Sequence, residues 1–205
     1  DPVLQQVEHF NNPGITANDA FKPVTRYFDR ITRPEQIIQS FPNAVQTMLD
    51  PADCGPACIS LCQDIQGQTF DYPEEFFIEK IHSIRRPRPD DFQIKEAAEK
   101  IKNSKNPIII SGGGVFYSNA MEELSNFAIK HNIPVTQTVM GYSTMKRDHS
   151  HYAGQIGGLG GKNTNDLAKE TDLAIAVGTK LADFTTGSWA NFENENFKLL
   201  SINVS

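Results

Sequence analysis

The clearest fold signal in this chain is the stretch Ile108-Ile109-Ile110-Ser111-Gly112-Gly113-Gly114. Its three consecutive isoleucines do not alternate with polar residues, which predicts a strand that is buried on both faces of a parallel sheet. Three glycines follow at once, and such a turn between a strand and a helix is typical of doubly wound folds that bind nucleotides. The stretch therefore predicts the first strand of an α/β domain.

A helix is predicted directly after the glycine turn, from about Asn119 to Lys130. Asn119 suits the N-cap position, and Glu122 stands three residues later, as in a capping box. One side of this helix is apolar and is expected to pack on the sheet; it carries Ala120, Leu124, Phe127 and Ala128.

The alternation of apolar strands and amphipathic helices extends in both directions along the chain. A helix with the apolar stripe Ile94, Ala97, Ala98 and Ile101 precedes the first strand. Further strands are predicted at residues 133–139, 173–177 and 197–204, and a shorter helix at residues 163–169. The chain from Asp91 onward therefore predicts an α/β, doubly wound, Rossmann-like parallel sheet.

The segment Arg85-Arg86-Pro87-Arg88-Pro89-Asp90-Asp91 predicts a domain boundary. Its two prolines, one residue apart, interrupt regular structure, and the two acids can cap the helix that follows. We therefore predict one domain over residues 1–88 and a second over residues 89–205.

The first domain is predicted to be an α/β fold that is incomplete within this chain. Strands are expected at residues 24–31 and 57–61, and a helix is expected from Pro34, kinked at Pro42. The polar stretch 63–81 is interpreted as a crossing connection. The helix is expected to bury an apolar stripe of Ile37, Ile38, Phe41, Val45, Met48 and Leu49. These few elements do not close a core.

Charge and hydropathy exclude two classes of partner. The chain has 205 residues and a net charge of −6, with an isoelectric point near 5.4, whereas nucleic-acid binding needs clustered Lys and Arg. No apolar run approaches the roughly 20 residues that a membrane-spanning helix requires. We therefore expect neither nucleic acid nor a membrane as partner.

The three cysteines, Cys54, Cys58 and Cys62, are an odd number and do not form a paired framework. Their equal spacing allows a metal site, but Gly55-Pro56 would break a helix there and no fourth ligand has a suitable spacing. In the predicted strand, Cys58 and Cys62 share one face. We predict buried reduced thiols, no metal site and a cytoplasmic location.

Three polar segments that contain glycine are predicted to meet at the carboxyl edge of the sheet. They are the turn Gly112–Gly114, the loop 154–161 and the segment 177–187. Glycines at this edge let a backbone approach a phosphate, and free amides at a helix start attract anions. The turn departs from the Gly-x-Gly-x-x-Gly pattern, because position 117 is Tyr. Three interpretations stay open, namely a tight turn, a subunit contact or a nucleotide site at Gly112, Gly113, Gly114, Gly178 and Lys180.

The loop 154–161 is expected to be mobile unless a ligand or a neighbouring subunit holds it. His149 and His151 have no carboxylate or thiol at a ligand spacing, so we interpret them as surface histidines.

In sequence order, these segments resemble the acetolactate-synthase-like thiamine-diphosphate enzymes. Residues 178–187 are similar to the Gly-x-Arg-x-x-Asp and Thr-Gly segment that closes the central domain of that family, with Lys180 in place of the usual Arg. Residues 108–114 look like the first strand and glycine turn of the same domain. Its middle is matched by Gly141, Asp148-His149 and the glycines between residues 157 and 161.

Upstream, residues 55–65 resemble the end of the family's pyrimidine-binding domain, where Cys62 replaces a usual Pro. Residues 19–37, with Gln63-Asp64-Ile65-Gln66 and Asp71-Tyr72-Pro73, narrow the resemblance within the family. They look like the branch that hydrolyses trihydroxycyclohexane-1,2-dione in inositol catabolism.

The resemblance implies a chemistry for which this chain does not supply all the parts. In that branch, a thiamine diphosphate ylide attacks one carbonyl of the cyclic 1,2-diketone, the C–C bond breaks, and water releases the ring-opened acid. A glutamate against the aminopyrimidine and a Gly-Asp-Gly…Asn motif for Mg²⁺ are needed. The family places the glutamate before the matched region and the metal motif after it, and the sequence has no Gly-Asp-Gly. We predict that this polypeptide alone is inactive, and that the intact enzyme is a homodimer or homotetramer.

The resemblance places Phe21, Lys22 and Arg26 near the substrate mouth of the pyrimidine-binding domain. The two cations could orient the hydroxyls of a cyclic polyhydroxy diketone, or they could be solvated surface charges. Some relatives bind FAD or ADP in the central domain, which Lys180 disfavours because an ammonium cannot replace a planar guanidinium fork. Two alternatives stay open, namely another lyase or decarboxylase of the family and a free-standing nucleotide-binding module.

Overall fold

The computed structural model describes Asn11 and residues 15–204. Residues 1–10 and 12–14, at the start of the predicted first domain, and Ser205 lie outside the described residues. The chain divides into two compact units, of which the first ends at Arg86 and the second runs from Pro87 to Val204. Each unit has a sheet of its own.

The first unit contains two parallel strands, β1 (Tyr27–Ile31) and β2 (Ala57–Leu61), which pair along their full length. Ile31, Cys62 and Ile65 form the buried cluster beside them. The predicted strand 57–61 is confirmed. The other strand starts later than predicted, because Ala17–Val24 forms a 3-10 helix.

Helix α1 (Ile37–Leu49) buries a different face from the one predicted. Its buried residues are Ser40 and Ala44, whereas Phe41 and Met48 of the predicted stripe are 53% and 46% exposed. The helix therefore packs on the strands through small side chains that allow a close approach. The apolar stripe is a wrong prediction at Phe41 and Met48.

Short helical turns flank α1. The chain enters α1 through a 3-10 turn at Pro34–Gln36, and α1 continues through Pro42 to Leu49. After β2 come α2 (Gln63–Gln66) and a 3-10 turn at Glu74–Phe76. The ring of Tyr72 lies between 5.0 and 6.1 Å from three phenylalanine rings, measured between centroids. The predicted connection 63–81 is thus an aromatic cluster without a strand.

The second unit is built on five strands, in which every neighbouring pair is parallel. They lie in the order β5-β4-β3-β6-β7. The chain therefore moves outward from β3 on one side and then crosses to the other side, which is the topology of a doubly wound sheet. The predicted α/β fold is confirmed. The strands are β3 (Pro107–Ser111), β4 (Val135–Gln137), β5 (Tyr152–Gln155), β6 (Leu173–Val177) and β7 (Lys198–Ile202).

Helices cover both faces of this sheet. They are α3 (Asp91–Asn103), α4 (Gly113–Tyr117), α5 (Met121–His131), α6 (Lys162–Glu170) and α7 (Asp183–Thr186). Ile109 lies in one buried cluster with Leu124 and Ala128 of α5, whereas Ile108 lies in another with Ala168 of α6. Successive residues of a strand point to opposite faces, so β3 is buried from both sides, as its isoleucines predict. No helix in the described part of the chain is long and apolar enough to span a membrane.

Asn119 does not cap α5, which corrects the predicted capping box. The N-cap is Ala120, and Asn119 has a left-handed backbone with φ +54°. The short helix α4 ends there, and Asn is one of the few residues that enter this region at low cost. The predicted buried side is confirmed at Leu124 and Ala128.

Helix α3 begins as predicted with an acid, since Asp90 accepts a 2.8 Å hydrogen bond from the Gln93 amide. Its predicted stripe is only partly covered: Ile101 packs against the core, but Ile94 is 51% exposed. Strand β5 was not predicted, because its residues lie in a glycine-rich stretch where Gly154 has φ +101°.

Candidate functional site

Two glycine turns pack against each other at the switch point of the sheet. Gly112 and Gly114 follow β3, and Gly178 follows β6, its immediate neighbour. A Cβ atom added to Gly114 would lie 2.6 Å from the Gly178 Cα, and one added to Gly112 would lie 2.3 Å from the Gly178 carbonyl oxygen. These glycines therefore serve a close approach of two backbones.

Two amides of this turn donate to main-chain acceptors. Gly112 N–H donates to the Val177 carbonyl and Gly114 N–H donates to the Gly178 carbonyl, each at 2.9 Å. An anion at a helix start needs free amides, so these two donors are not available to a phosphate in this arrangement. Gly113 packs against Met140, and Lys180 is exposed. The structure brings the glycines together and engages the Gly112 and Gly114 amides within the main chain, and the nucleotide site stays a prediction.

The loop after β5 is held by this chain itself. The side chain of Asn165 accepts a 2.9 Å hydrogen bond from the Gly157 amide and donates one of 3.1 Å to the Gly157 carbonyl. Gly158 N–H donates to the Phe184 carbonyl at 2.8 Å. The loop thus has hydrogen-bond partners within the chain on both α6 and α7. These contacts and the glycine pair bring all three segments to one edge of the sheet.

The segment after α7 contains a left-handed turn of three residues. Gly187, Ser188 and Trp189 have φ values of 57°, 56° and 67°, and Ala190 N–H donates to the Gly187 carbonyl at 3.0 Å. This conformation costs non-glycine residues about 1–2 kcal/mol each. Ser188 Oγ donates a 2.6 Å hydrogen bond to Asp183 Oδ1, which helps to hold the turn. The turn leaves Trp189 half exposed.

In the first unit, Phe21 and Lys22 lie on the 3-10 helix before β1. Phe21 is half exposed. Lys22 Nζ lies 2.7 Å from Asp19 Oδ1 and 5.2 Å from the centroid of the Phe28 ring. The hydrogen bond from Lys22, with one from the Thr16 amide, lowers the pKa of Asp19. Lys22 therefore has an acidic partner although it is largely solvated.

Arg26 follows on the same chain segment and has its own acidic partner. Its Nε lies 3.3 Å from Asp53 Oδ1, and its amide donates to the Pro56 carbonyl at 2.8 Å. A Cβ added to Gly55 would lie 2.1 Å from the Arg26 Cγ, so a side chain there would displace the side chain of Arg26. Lys22 and Arg26 are thus both anchored by carboxylates while more than half of each side chain stays exposed.

The cysteines differ in burial, and all three are free: Cys62 is buried, Cys58 is intermediate and Cys54 is exposed. The prediction of buried thiols is therefore wrong for Cys54, which precedes strand β2 in the chain. Within residues 15–204, no group of three His, Cys, Asp or Glu side chains is arranged to hold a metal ion.

His149 and His151 link the β4–β5 connection to α5. His149 Nε2 lies 2.9 Å from Ser125 Oγ, and His149 Nδ1 accepts the His151 amide at 3.1 Å. His151 Nε2 lies 3.1 Å from Asn132 Oδ1. Both rings therefore have structural partners, which the sequence did not reveal.

Sequence reasoning also missed a buried polar group at the end of β4. Gln137 is 1% exposed, and it donates to Thr144 Oγ1 at 3.2 Å and to the Met145 carbonyl at 3.0 Å. The sequence signal that could have revealed it is Gln137 within a predicted apolar strand, followed by Thr138 and Ser143. It indicates a polar floor beneath the β4–β5 connection.

Comparison with known proteins identifies the family. The family model for the thiamine pyrophosphate enzyme central domain matches residues 94–205. Three relatives align with all 205 residues, and each is named 3D-(3,5/4)-trihydroxycyclohexane-1,2-dione hydrolase. They come from Clostridium perfringens strain 13 (49% identical), Clostridium botulinum strain Alaska E43 (48%) and Bacillus subtilis strain 168 (45%).

The chain spans 32% of the length of each of these relatives. The family model covers more than half of the chain and coincides with the doubly wound unit. This chain therefore belongs to the thiamine pyrophosphate enzymes, and residues 94–205 match their central domain.

Proposed function

We propose that this chain is part of a thiamine-diphosphate-dependent hydrolase that opens trihydroxycyclohexane-1,2-dione in inositol degradation. The observation that carries the proposal is 45–49% identity, over all 205 residues, to relatives named for hydrolysis of that compound. The similarity includes the first unit, so it is not limited to the common central domain.

The proposed reaction is balanced by one water molecule. The bond between the two carbonyl carbons breaks; the hydroxyl of water goes to one carbon and gives a carboxylic acid, and a proton goes to the other and gives an aldehyde. Thiamine diphosphate supplies the carbon nucleophile when it is bound. The sequence has no Gly-Asp-Gly motif, and residues 15–204 contain no cluster suited to Mg²⁺. The residues present thus do not fit the cofactor and its metal, and we expect these 205 residues alone to be inactive.

In this proposal Phe21, Lys22 and Arg26 form the part of the substrate mouth that this chain contributes. Lys22 pairs with Asp19 and Arg26 pairs with Asp53, and both cations remain more than half exposed and so accessible to a substrate. A polyhydroxy diketone offers carbonyl and hydroxyl oxygens that such cations can bind. Their role is to orient the ring rather than to transfer a proton.

The proposal includes a homodimeric or homotetrameric enzyme in the cytoplasm, with Mg²⁺ on the diphosphate. The free thiols of Cys54, Cys58 and Cys62 support a reducing compartment. FAD or ADP has less support, since the amides of Gly112 and Gly114 bind main-chain carbonyls.

The test is to express the whole reading frame that contains these residues and to assay acid release from the diketone with thiamine diphosphate and Mg²⁺. We expect turnover by the whole polypeptide and none by the 205-residue chain. In the whole polypeptide, Lys22→Gln and Arg26→Gln should each raise KM about tenfold, which corresponds to ~1.4 kcal/mol of lost binding. Arg33→Gln is the matched control, because Arg33 is an exposed cation of the same unit paired with Glu35.

Three results would contradict the proposal in different ways. Acid release by the 205-residue chain would refute the inactivity of the fragment. Unchanged KM in both variants would refute the role of the two cations. Decarboxylation of 2-oxo acids, without ring opening, would instead favour a lyase or decarboxylase of the same family.

A further inference from the structure

A small cavity lies at the carboxyl end of β4, within the second unit. Its volume is about 260 Å³, which is below the roughly 300–1,000 Å³ of pockets that hold drug-sized ligands. Gln137 and Met145 form its buried floor, and Tyr142, Lys146 and Arg147 stand at its rim. It is separate from the glycine turns at the switch point, and its size suits a molecule much smaller than a nucleotide.

The floor offers one unused acceptor. Both hydrogen bonds of the Gln137 side chain are donated by Nε2, and the Met145 carbonyl fixes which end of the amide is nitrogen. Oε1 accepts no hydrogen bond from the described residues. It is also not one of their fully buried side-chain atoms that lack a hydrogen-bond partner. Gln137 lines the cavity, so this oxygen is the acceptor that the floor can offer to a ligand. A ligand hydroxyl can satisfy it, which matters because an unsatisfied buried acceptor costs about 1–3 kcal/mol.

The rim carries positive charge on an aromatic support. The Arg147 guanidinium carbon lies 5.5 Å from the centroid of the Tyr142 ring, and its Nη2 lies 3.4 Å from Tyr142 Oη. Lys146 stands beside it, and Asp148 also lines the cavity. Two cations against one carboxylate leave a net positive rim, which attracts an anionic group.

The cavity is built on a fixed frame. Thr144 Oγ1 accepts from Ser111 Oγ at 2.7 Å and from Gln137 Nε2, and it donates to the Gly141 carbonyl at 2.7 Å. Beyond the cavity, His149 holds the connection to Ser125 of α5. Both ends of the segment that forms the rim are thus anchored, so its shape is set before a ligand arrives.

We propose that this cavity binds a small polyol that carries one anionic group. The Oε1 of Gln137 accepts a hydroxyl of the polyol, while Lys146 and Arg147 bind the carboxylate or phosphate. The site is not part of the proposed diketone chemistry, and it does not depend on that proposal. Carboxylated and phosphorylated polyols share the chemistry that the site recognises.

The test is calorimetric titration of the 205-residue chain with gluconate and with glucose 6-phosphate. myo-Inositol, an uncharged polyol, and inorganic phosphate, a bare anion, serve as partial ligands. We expect one site with a dissociation constant below about 1 mM for at least one of the two charged polyols, and at least tenfold weaker binding of both partial ligands. Tight binding of gluconate alone identifies a carboxylate site, and tight binding of glucose 6-phosphate alone identifies a phosphate site; either supports the proposal.

Lys146→Gln with Arg147→Gln should weaken this binding at least tenfold. The matched control is Lys95→Gln with Lys102→Gln, which removes two exposed charges from α3 and should leave affinity unchanged. Gln137→Leu removes the acceptor but also two hydrogen bonds of the frame, so its fold is checked by thermal melting. If the Gln137→Leu variant unfolds, NMR of the unaltered chain takes its place. We then expect the ligand to shift the resonances of the Gln137 side-chain amide.

The proposal is overturned if neither charged polyol binds with a dissociation constant below about 1 mM. It is also overturned if inorganic phosphate binds as well as glucose 6-phosphate, or if the Lys146 and Arg147 substitutions have no effect.

Discussion

The amide of Gly114 donates a 2.9 Å hydrogen bond to the carbonyl of Gly178, across the switch point of the sheet. The two residues are 64 positions apart in the sequence, yet neither tolerates a side chain beside the other. Their contact fixes the distance between the loops after β3 and β6. The glycine turn after β3 therefore also connects two neighbouring strands of the sheet.

Gly178→Ala should lower the free energy of unfolding by about 2–4 kcal/mol. The new Cβ would lie 2.6 Å from the Gly114 Cα, and the φ of +59° disfavours any side chain. Gly161→Ala is the control, since nothing lies within 4 Å of its added Cβ, and it should cost less than about 1 kcal/mol. Denaturant unfolding of the chain measures both. Equal effects of the two substitutions would refute the role of the joint.

Asp172 ties the turn between α3 and β3 to the start of β6. Burial alone would raise the pKa of Asp172, but it is outweighed by hydrogen bonds from the Lys105 amide, the Ser104 hydroxyl and the Asn106 amide, which together lower the pKa. Asp172→Ala should therefore cost about 1–3 kcal/mol at neutral pH. Asp166→Ala, which breaks an exposed pair with Lys162, should cost much less.

The contribution of Asp172 should depend on pH in one direction. A carboxyl whose pKa is lowered by folding stabilises the folded state above its unfolded pKa of about 3.9, and this stabilisation is lost as the pH falls through the lower, folded value. The difference in unfolding free energy between the unaltered chain and Asp172→Ala should thus keep one value from pH 7 to about pH 4. It should shrink as the pH falls further. A difference that grows on acidification would contradict the assignment.

Limited trypsin digestion should cut the chain between its two units. Residues 78–90 have no helix or strand and are exposed, which is where proteolysis concentrates. We expect cleavage after Lys80 and Arg85, but not after Arg86 or Arg88, because a proline follows each of these. Pro87→Ala is the control that should open the bond after Arg86. Mass spectrometry identifies the products, and early cleavage inside residues 107–177 would contradict two compact units.

Asn119→Ser distinguishes the two descriptions of the start of α5. Serine is as good an N-cap as asparagine, so the predicted capping box would leave stability unchanged. At a φ of +54° serine is disfavoured, so we expect a loss of about 0.5–1 kcal/mol. Asn119→Gly should be neutral or stabilising at the same position. Thermal melts of both variants decide between the descriptions.

ADP should not bind tightly to the chain. The Gly112 and Gly114 amides are occupied, and Lys180 offers a single ammonium in place of a guanidinium fork. Titration to about 1 mM ADP should therefore give no saturable heat and no change in the emission of Trp189, the single tryptophan. Acrylamide quenching confirms that the half-exposed Trp189 responds to its surroundings. A micromolar dissociation constant would restore the nucleotide site.

Local pattern predicted those parts of the fold whose signal is contained in a few neighbouring residues. The apolar runs at 57–61 and 173–177 became strands with the predicted bounds. β5 was missed because Tyr152–Gln155 has no such run and its pairing with β4 supplies the order. Helix α1 buries Ser40 and leaves Phe41 exposed, because the face that meets β1 and β2 is set by packing with residues outside the helix sequence.

The sites show the same division. The glycine-rich segments were found from the sequence, but the contact between Gly114 and Gly178 and the free oxygen of Gln137 depend on residues far apart along the chain. No local pattern states which amide meets which carbonyl. The family resemblance was correct because it compares motifs in their order along the whole chain. Proteins of one family share the contacts between distant residues that no single motif specifies.

β7 is the last strand of the sheet, and among the described residues nothing pairs with its outer side. The main-chain donors and acceptors along Lys198–Ile202 form a template on which another extended segment can add. The exposed apolar side chains of Leu199 and Ile202 favour the addition of another strand, whereas the charge of Lys198 disfavours it. Handled by itself, this polypeptide is therefore prone to stack edge to edge, and dilute, low-salt solutions are the conditions in which its single-chain properties should be measured.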